Sequence, residues 1–522
     1  MSCTAAPPTH PAGLRGTPQR VGLWLAAVFC GVVLGWGAEA SAQTTDERDD
    51  TSRRLEWLES QLLQVTRDNR RLAEELDELR HTQGDPSGPD AEASDLVSTA
   101  AWDEAGQLGV PPAAASDTAP GQIPAWAAGW HAGYDRGFVI APASDEQSPF
   151  SLKINNQTMF RYAGLQREIE TWTNSAGALT PVNNFSNFQI PRGRLSFSGG
   201  VLIPDLTYQM ILDYNTVTSA PIGFRAYRLS YEFSDELTVH VGQSKVPGTR
   251  EWLASAFRVQ GPDRSLATTF FRPSLSQGIW ITGRFADDFH YHSMLSNGFN
   301  TTNVPARSLN VYPCWSGSLW WEPWGEFGND MSDLQWHEQP VLRLGTCQTF
   351  AQDRGSQTNS GSPENSLLRL SDGTVITDTG ALAPGVTLSN YIVFLSAFDV
   401  GWKYRGLSLL GEFYMQTLGN LRGNGPLPSP STQALGGYLQ GGVFVFPKEF
   451  EVYGRGSLVT GDYGTGGEYA GGCNWFVLPG KENLRVTTDL AYILRSAADQ
   501  NRTNYTAGYT GWLLRAQVTT VF

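Results

Sequence analysis

Charge is scarce in this 522-residue chain: Asp, Glu, Lys and Arg together make up 17% of it, and cysteine occurs five times. After the first forty residues no stretch approaches the roughly 20 consecutive apolar residues of a helical membrane span. That leaves open a β-barrel, which spreads its apolar surface over many short strands. No Gly-x-Ser-x-Gly elbow suggests a hydrolase of that type. The Gly-rich "GDYGTGGEYAGG" lacks the following helix and Lys of a phosphate cradle and reads as a loop between strands. Among seven histidines, His290 and His292 in "FHYHSM" share one strand face and could begin a metal site, but no third ligand follows nearby. Neither an enzyme nor a cofactor is expected. Cys314, Cys347 and Cys473 are too few and too widely spaced for a disulfide framework or a zinc pattern, although a Cys314–Cys347 bridge remains open.

What is abundant is aromatic residues, 11% with 17 Trp, and glycine, 56 in all. The amino end carries Arg15 and Arg20, the apolar "VGLWLAAVFCGVVLGW" and then "AEASAQ", the order of a secretory signal over 1–42 with cleavage after Ala40-Ser41-Ala42. An uncleaved anchor is the alternative, but the run is shorter than a full span. Residues 43–81 read as a coiled-coil stalk: Leu55, Leu58, Leu62, Val65, Asn69, Leu72, Leu76 and Leu79 alternate three-four spacing, with Asn69 at an a-type position that fixes register and strand number. A homo-oligomer follows. Residues 82–132, rich in Pro, Gly, Ala and Asp, form a flexible tether.

From 133 to 522 the period changes to 2. In "PFSLKINNQTMFRY", Phe150, Leu152, Ile154, Phe160 and Tyr162 share one face and Lys153, Asn155, Gln157 and Arg161 the other. Sixteen strands are predicted, beginning near 150, 187, 206, 224, 236, 277, 288, 316, 340, 395, 406, 434, 449, 474, 484 and 509. Short turns alternate with long loops such as 163–186, 243–276, 351–391 and 460–473, the pattern of outer-membrane barrels with periplasmic turns and external loops. The connection 324–339 is long where a short one is due, which suggests strands misassigned nearby. The fold class is therefore an all-β, 16-stranded antiparallel transmembrane barrel preceded by a short helical coiled coil; a soluble β-sandwich or propeller competes. The closing "GWLLRAQVTTVF" supplies Trp512, Leu514, Val518 and Phe522 for barrel closure and for the carboxy-terminal signal read by barrel assembly machinery.

"PRGRLSFSGGVLIPDLTYQMILDY" followed by "FRAYRLSYEFSDELTVHVGQSKVPGTREWLASAFRVQGPDRSL" resembles the phosphate-selective porin O and P family. The resemblance rests on an Arg-rich strand with a Gly turn, an "AY" strand, a "VGQ-K-P" strand end, a Glu shortly after, and "RSL". It is strongest over 133–300, and "SLLGEFYMQ" and "YGRGSLVTGDY" continue it. It implies a trimeric, water-filled pore in the outer-membrane lipid whose third external loop folds inward, with small anions as permeant solutes.

Residues 243–276 hold Lys245, Arg250, Arg258, Arg264 and Arg272 against Glu251 and Asp263, a net +3, and Arg favours oxyanions through fixed charge and fork-shaped donors. Strand parity turns Lys153, Arg161, Arg192, Arg194 and Arg228 towards the lumen. The alternative is that these arginines pair with lumen carboxylates such as Glu232 and stiffen the wall. From 133 onward the chain has 28 basic and 32 acidic residues, net −4, so only a local field could select anions. Phosphate itself is implied by the resemblance alone. A structural barrel whose periplasmic stalk binds the cell wall is the other expectation, as is a general non-selective porin; nucleic acid is not an expected partner.

Overall fold

The computed structural model describes residues 130–142, 150–218, 222–305, 309, 312–353 and 367–522. The expected signal, the seam from Leu55 to Leu79 and most of the tether lie outside the described residues.

Strands dominate because the alternation seen in sequence is satisfied on both faces. A hairpin of β1 (Trp130–Tyr134) and β2 (Phe138–Pro142) precedes β3 (Leu152–Arg167), and a small hairpin of β4 (Thr171–Thr173) and β5 (Leu179–Pro181) sits in the first long loop. The wall continues through β6 (Phe185–Val201), β7 (Ile203–Tyr214), β8 (Ile222–Ser234) and β9 (Leu237–Lys245). Two short helices follow, α1 (Arg250–Leu253) and α2 (Leu266–Phe271). Then come β10 (Leu275–Ala286), β11 (Phe289–Ser296), β12 (Cys314–Trp321), β13 (Val341–Asp353), β14 (Leu388–Tyr404) and β15 (Leu407–Gly423). The last are β16 (Thr432–Phe446), β17 (Phe450–Gly461), β18 (Gly464–Phe476), β19 (Leu484–Leu494) and β20 (Gly511–Val521).

Each strand from β6 to β20 is antiparallel to its predecessor in the wall, and β20 pairs back onto β3 from Gly511↔Arg167 to Val521↔Gln157. The result is a closed barrel of sixteen strands, β3 and β6 to β20, which excludes the sandwich and the propeller. Closure answers the edge problem: among the described residues no long wall strand lacks a neighbour on either side. The β1–β2 hairpin joins the free lower stretch of β3 through Phe138↔Ile154 to Ile140↔Leu152.

The two faces differ as a membrane wall requires. Phe160, Phe188, Ile279, Phe394, Leu409, Phe413, Leu439 and Trp512 are exposed on the outside, whereas Arg161, Arg192, Gln243, Glu412, Glu468 and Arg515 are buried within. An exposed apolar surface that runs round a closed polar-filled barrel is suited to hydrocarbon.

Two sequence expectations change, and the open question of a Cys314–Cys347 bridge closes. The fourteenth strand begins at Gly464, so 460–473 is not a long loop; β17 and β18 meet through residues 462–463. The glycines that imitate a loop are wall positions: a Cβ at Gly466 would collide with the carbonyl of Arg495, where another loop folds in. The strands around 324–339 are correctly placed, and the connection 322–340 is truly long. Cys314 and Cys347 are both free: register sets Cys347 opposite Ser318, four positions from Cys314.

Lumen ion pairs fasten the last two strands to each other. Arg515 of β20 grips Asp489 of β19 through Nε (2.9 Å) and Nη2 (2.5 Å) and donates to the Thr503 carbonyl at 3.0 Å, all fully buried. Removing one partner of a buried pair strands the other charge at a cost of about 3–5 kcal/mol. Arg515→Ala is therefore expected to lower markedly the temperature at which the folded barrel loses its compact mobility on a detergent gel; an unchanged transition would contradict this role.

Candidate functional site

The long loop 246–274 between β9 and β10 lies inside the barrel, and nearly all of it is buried. Its two short helices explain how. Thr249 caps α1 by accepting from Trp252 N at 3.3 Å, and Ser265 caps α2 by accepting from Thr268 N at 3.1 Å. Other free N–H groups at these helix starts are met by the wall, Ala267 N by the Ser457 hydroxyl at 2.9 Å and others by carboxylates. Glu412 of β15 accepts from Arg250 N (3.0 Å) and Glu251 N (2.6 Å), and Glu468 of β18 accepts from Leu266 N at 3.0 Å. Glu451 of β17 accepts from Gln260 Nε2 of the loop and from Asn474 Nδ2 at 2.8 Å. α2 packs on β16, β17 and β18, and Thr268 Oγ1 meets the Tyr414 hydroxyl at 2.6 Å. The loop is thus drawn to one side of the lumen.

The expected loop cations mostly hold this arrangement. Lys245 Nζ donates to the carbonyls of Trp252, Leu253 and Ala254 at 2.7–2.8 Å, closing the carboxyl end of α1. Arg264 donates to the carbonyls of Glu251 and Ala254, and its guanidinium lies 4.9 Å from the centre of the buried Trp252 ring, with Arg272 at 4.2 Å. Arg258 reaches Glu482 at 3.0 Å and Asp330 at 3.6 Å. From the wall, Arg192 and Arg161 converge on Asp263; burial alone would raise that carboxyl's pKa, but the two guanidinium charges hold it well below the usual carboxylate range. Glu232, the partner expected from sequence, is exposed and takes no part.

Opposite the loop the lumen opens into a chamber of about 580 Å³ beside β6 to β13. Its cations are Arg194, Arg225, Arg228, Lys245, Arg250 and Arg343, and no Asp or Glu is among its lining residues. Carboxylates stand behind some of them: Arg194 is 3.6 Å from Asp213, and Arg343 is 3.2 Å from Asp399 and 3.3 Å from Glu322. Arg228 has no carboxylate partner among the described residues and is only partly covered. His292 also lines this chamber, while His290 stacks on Trp320 at 5.2 Å. Among the described residues no three potential metal ligands come together. A second chamber of about 660 Å³ towards the short-turn end is of mixed charge, with Arg136, Lys153, Arg258 and Lys481 facing Glu326, Asp330 and Glu482.

The ten cations expected from sequence therefore separate. Arg194, Arg228, Lys245 and Arg250 line the first chamber, Lys153 and Arg258 the second, and Arg161, Arg192, Arg264 and Arg272 are packed into the contact between loop and wall. Sequence reasoning misses two chamber cations. Arg225 has outward parity by simple alternation, but a β-bulge pairs Ile211 with Ala226 and Leu212 with Phe224, turning Arg225 inward. Arg343 alternates with Gly345 and Cys347 in "VLRLGTC", a lumen parity legible in retrospect.

No protein-family model matches the chain, and no curated protein does. Solved structures of similar fold include OmpF of Salmonella typhi in complex with daunomycin, at 10% identity over 72% of this chain and 98% of that one, with a TM-score of 0.44. An anion-selective porin from Comamonas acidovorans gives 10% identity, 71% and 99% coverage and a TM-score of 0.44. OprB of Pseudomonas putida, in a high-pH structure, gives 11%, 71%, 94% and 0.44. At this level of likeness they carry no argument about what the chain does.

If Glu412 positions the loop, its removal leaves two buried backbone N–H donors unsatisfied, at a cost of about 1–3 kcal/mol each. Should the barrel conduct, Glu412→Ala is expected to raise its single-channel conductance and open-channel noise in planar bilayers. A variant that conducts as the parent does would assign the loop's placement elsewhere.

Proposed function

We propose that this chain is a bacterial outer-membrane porin through which small hydrophilic anions, phosphate among them, diffuse passively past the inward third loop. One observation carries the reading: the first chamber gathers six cationic side chains with no carboxylate in its lining, although the barrel region as a whole is net negative. A narrow aqueous passage with a low-dielectric wall concentrates such a local field, so a few fixed guanidinium groups outweigh the distant net charge. Phosphate comes from the resemblance to the phosphate-selective porin O and P family; other small oxyanions fit the same chemistry. The reading places the long loops outside the cell and the short turns, with the stalk of residues 43–81, in the periplasm. Homotrimers held partly by the Leu55–Leu79 seam, and assembly machinery recognising Phe522, belong to it.

The test is the reversal potential across a planar bilayer under a KCl gradient, repeated with phosphate. Anion-selective steps blocked by phosphate are expected; cation-selective or unselective steps would sink the anion reading while keeping the pore. Arg228→Ala, which disturbs no ion pair among the described residues, is expected to lower the anion-to-cation permeability ratio about two- to threefold, as one unit charge at pore distance allows.

The heptad seam favours a second reading, a barrel tethered to the cell wall. Roughly 28 helical residues reach about 40 Å, so the stalk alone does not cross the periplasm and the tether must add length. Deleting 43–81 is expected to leave single-channel conductance unchanged; loss of envelope attachment in the same strain would support tethering.

A further inference from the structure

The connection 322–340 is out of scale with its end of the barrel. Its counterparts are residue 202 and residues 235–236, 287–288, 405–406, 447–449 and 477–483. Rather than hanging outside, it enters the lumen: Phe327 and Asp333 are fully buried, and Met331 nearly so. Two glycines with left-handed backbone, Gly325 (φ 108°) and Gly328 (φ 77°), let it turn inward. The wall braces it there. Lys403 Nζ donates to the carbonyls of Phe327 (3.0 Å) and Asp330 (2.7 Å), Gly406 N donates to Asp333 Oδ2 at 2.7 Å, and Ser332 Oγ donates to Glu451 at 2.7 Å.

This segment also meets the inward loop from the opposite end. Met331 N donates to the Arg258 carbonyl at 3.3 Å, and the Arg250 guanidinium lies 4.8 Å from the centre of the Phe327 ring. Glu451 takes donors from both segments, Gln260 of the loop and Ser332 of the connection. Between its braced residues, Gly328 and the exposed Asn329 line both chambers at once. They stand where the all-cationic chamber gives way to the one of mixed charge.

We propose that the passage has a second selectivity-determining element, the inward connection 322–340, whose residues Gly328 and Asn329 form the sill between the two chambers. The inference rests on the pore reading above. An anion leaving the first chamber must pass this sill before it meets Glu326, Asp330 and Glu482. Asn329 offers it an amide donor without adding a charge of either sign.

The experiment compares the parent protein with Asn329→Cys in planar bilayers, each treated with an anionic and then, separately, a cationic methanethiosulfonate reagent. The parent's own cysteines are controlled by treating it identically, and labelling is verified by mass. Sulfonate attached at position 329 is expected to cut anion conductance by about half or more and to move the reversal potential towards cation selectivity, while the ammonium reagent moves it the other way. Labelled channels with unaltered conductance and reversal potential would overturn the sill, as would an introduced thiol that neither reagent reaches. Silent parent channels would instead overturn the pore reading, and the sill with it. Because Asn329 is exposed and makes none of the bracing contacts, the variant is expected to fold as the parent does.

Discussion

The interior depends on carboxylates of the barrel wall receiving the backbone N–H groups of a loop. Glu412, Glu451 and Glu468 sit on β15, β17 and β18, buried where an unpartnered charge would be costly. Each is satisfied by several donors, and a large share of those donors belongs to residues 250–267. The arrangement has a direction: acidic wall attracts loop, loop covers acidic wall, and the first chamber, left open beside the loop, is bounded by basic wall. A barrel with more acidic than basic residues can therefore present a cationic chamber, because much of its inward negative charge is engaged in holding the loop.

Two populations of arginine serve this plan, and they differ in what surrounds them. Arg161 donates to Gln517, Pro262, Arg502, Asn504 and Asp263, leaving its fork no capacity for a solute. Arg228, on the strand facing the opening, retains contact with the chamber. Guanidinium suits both tasks, because its planar donors satisfy several buried carbonyls at once and its charge persists at every physiological pH. The first population gives the loop a single position, without which the second would face a space of undefined width.

Much of the wall is legible in the sequence because period-2 alternation is a direct image of a two-faced sheet. Residues such as Phe160 and Arg161, or Leu229 and Arg228, separate by parity alone. The inward fold of the third loop is implied by resemblance, but its mechanism is not, since Glu412 within "LLGEFYMQ" looks like any lumen-facing polar residue until its partner loop is in place. Arg225 is hidden by one extra residue in the strand, which no alternation rule anticipates. The expected loop over 460–473 fails because glycine is ambiguous in sequence: it marks a turn when φ demands it and a packed wall when a neighbour's backbone comes close. The anomalous length of 324–339 reads in sequence as a fault in the strand assignment, whereas it marks a segment with its own place in the lumen.

The closing seam carries a kinetic implication. Thr520 and Thr158 meet across 362 residues of chain, so pairing β20 with β3 requires the two most distant parts of the wall to find one another. Loop closure over that separation is slow, and local hairpins form first. Until the seam zips, the protein is an open sheet with two adhesive edges and an apolar face in water. The rate of that final pairing, relative to the rate at which two such sheets join edge to edge, decides how much of the chain becomes a barrel and how much is lost to aggregation.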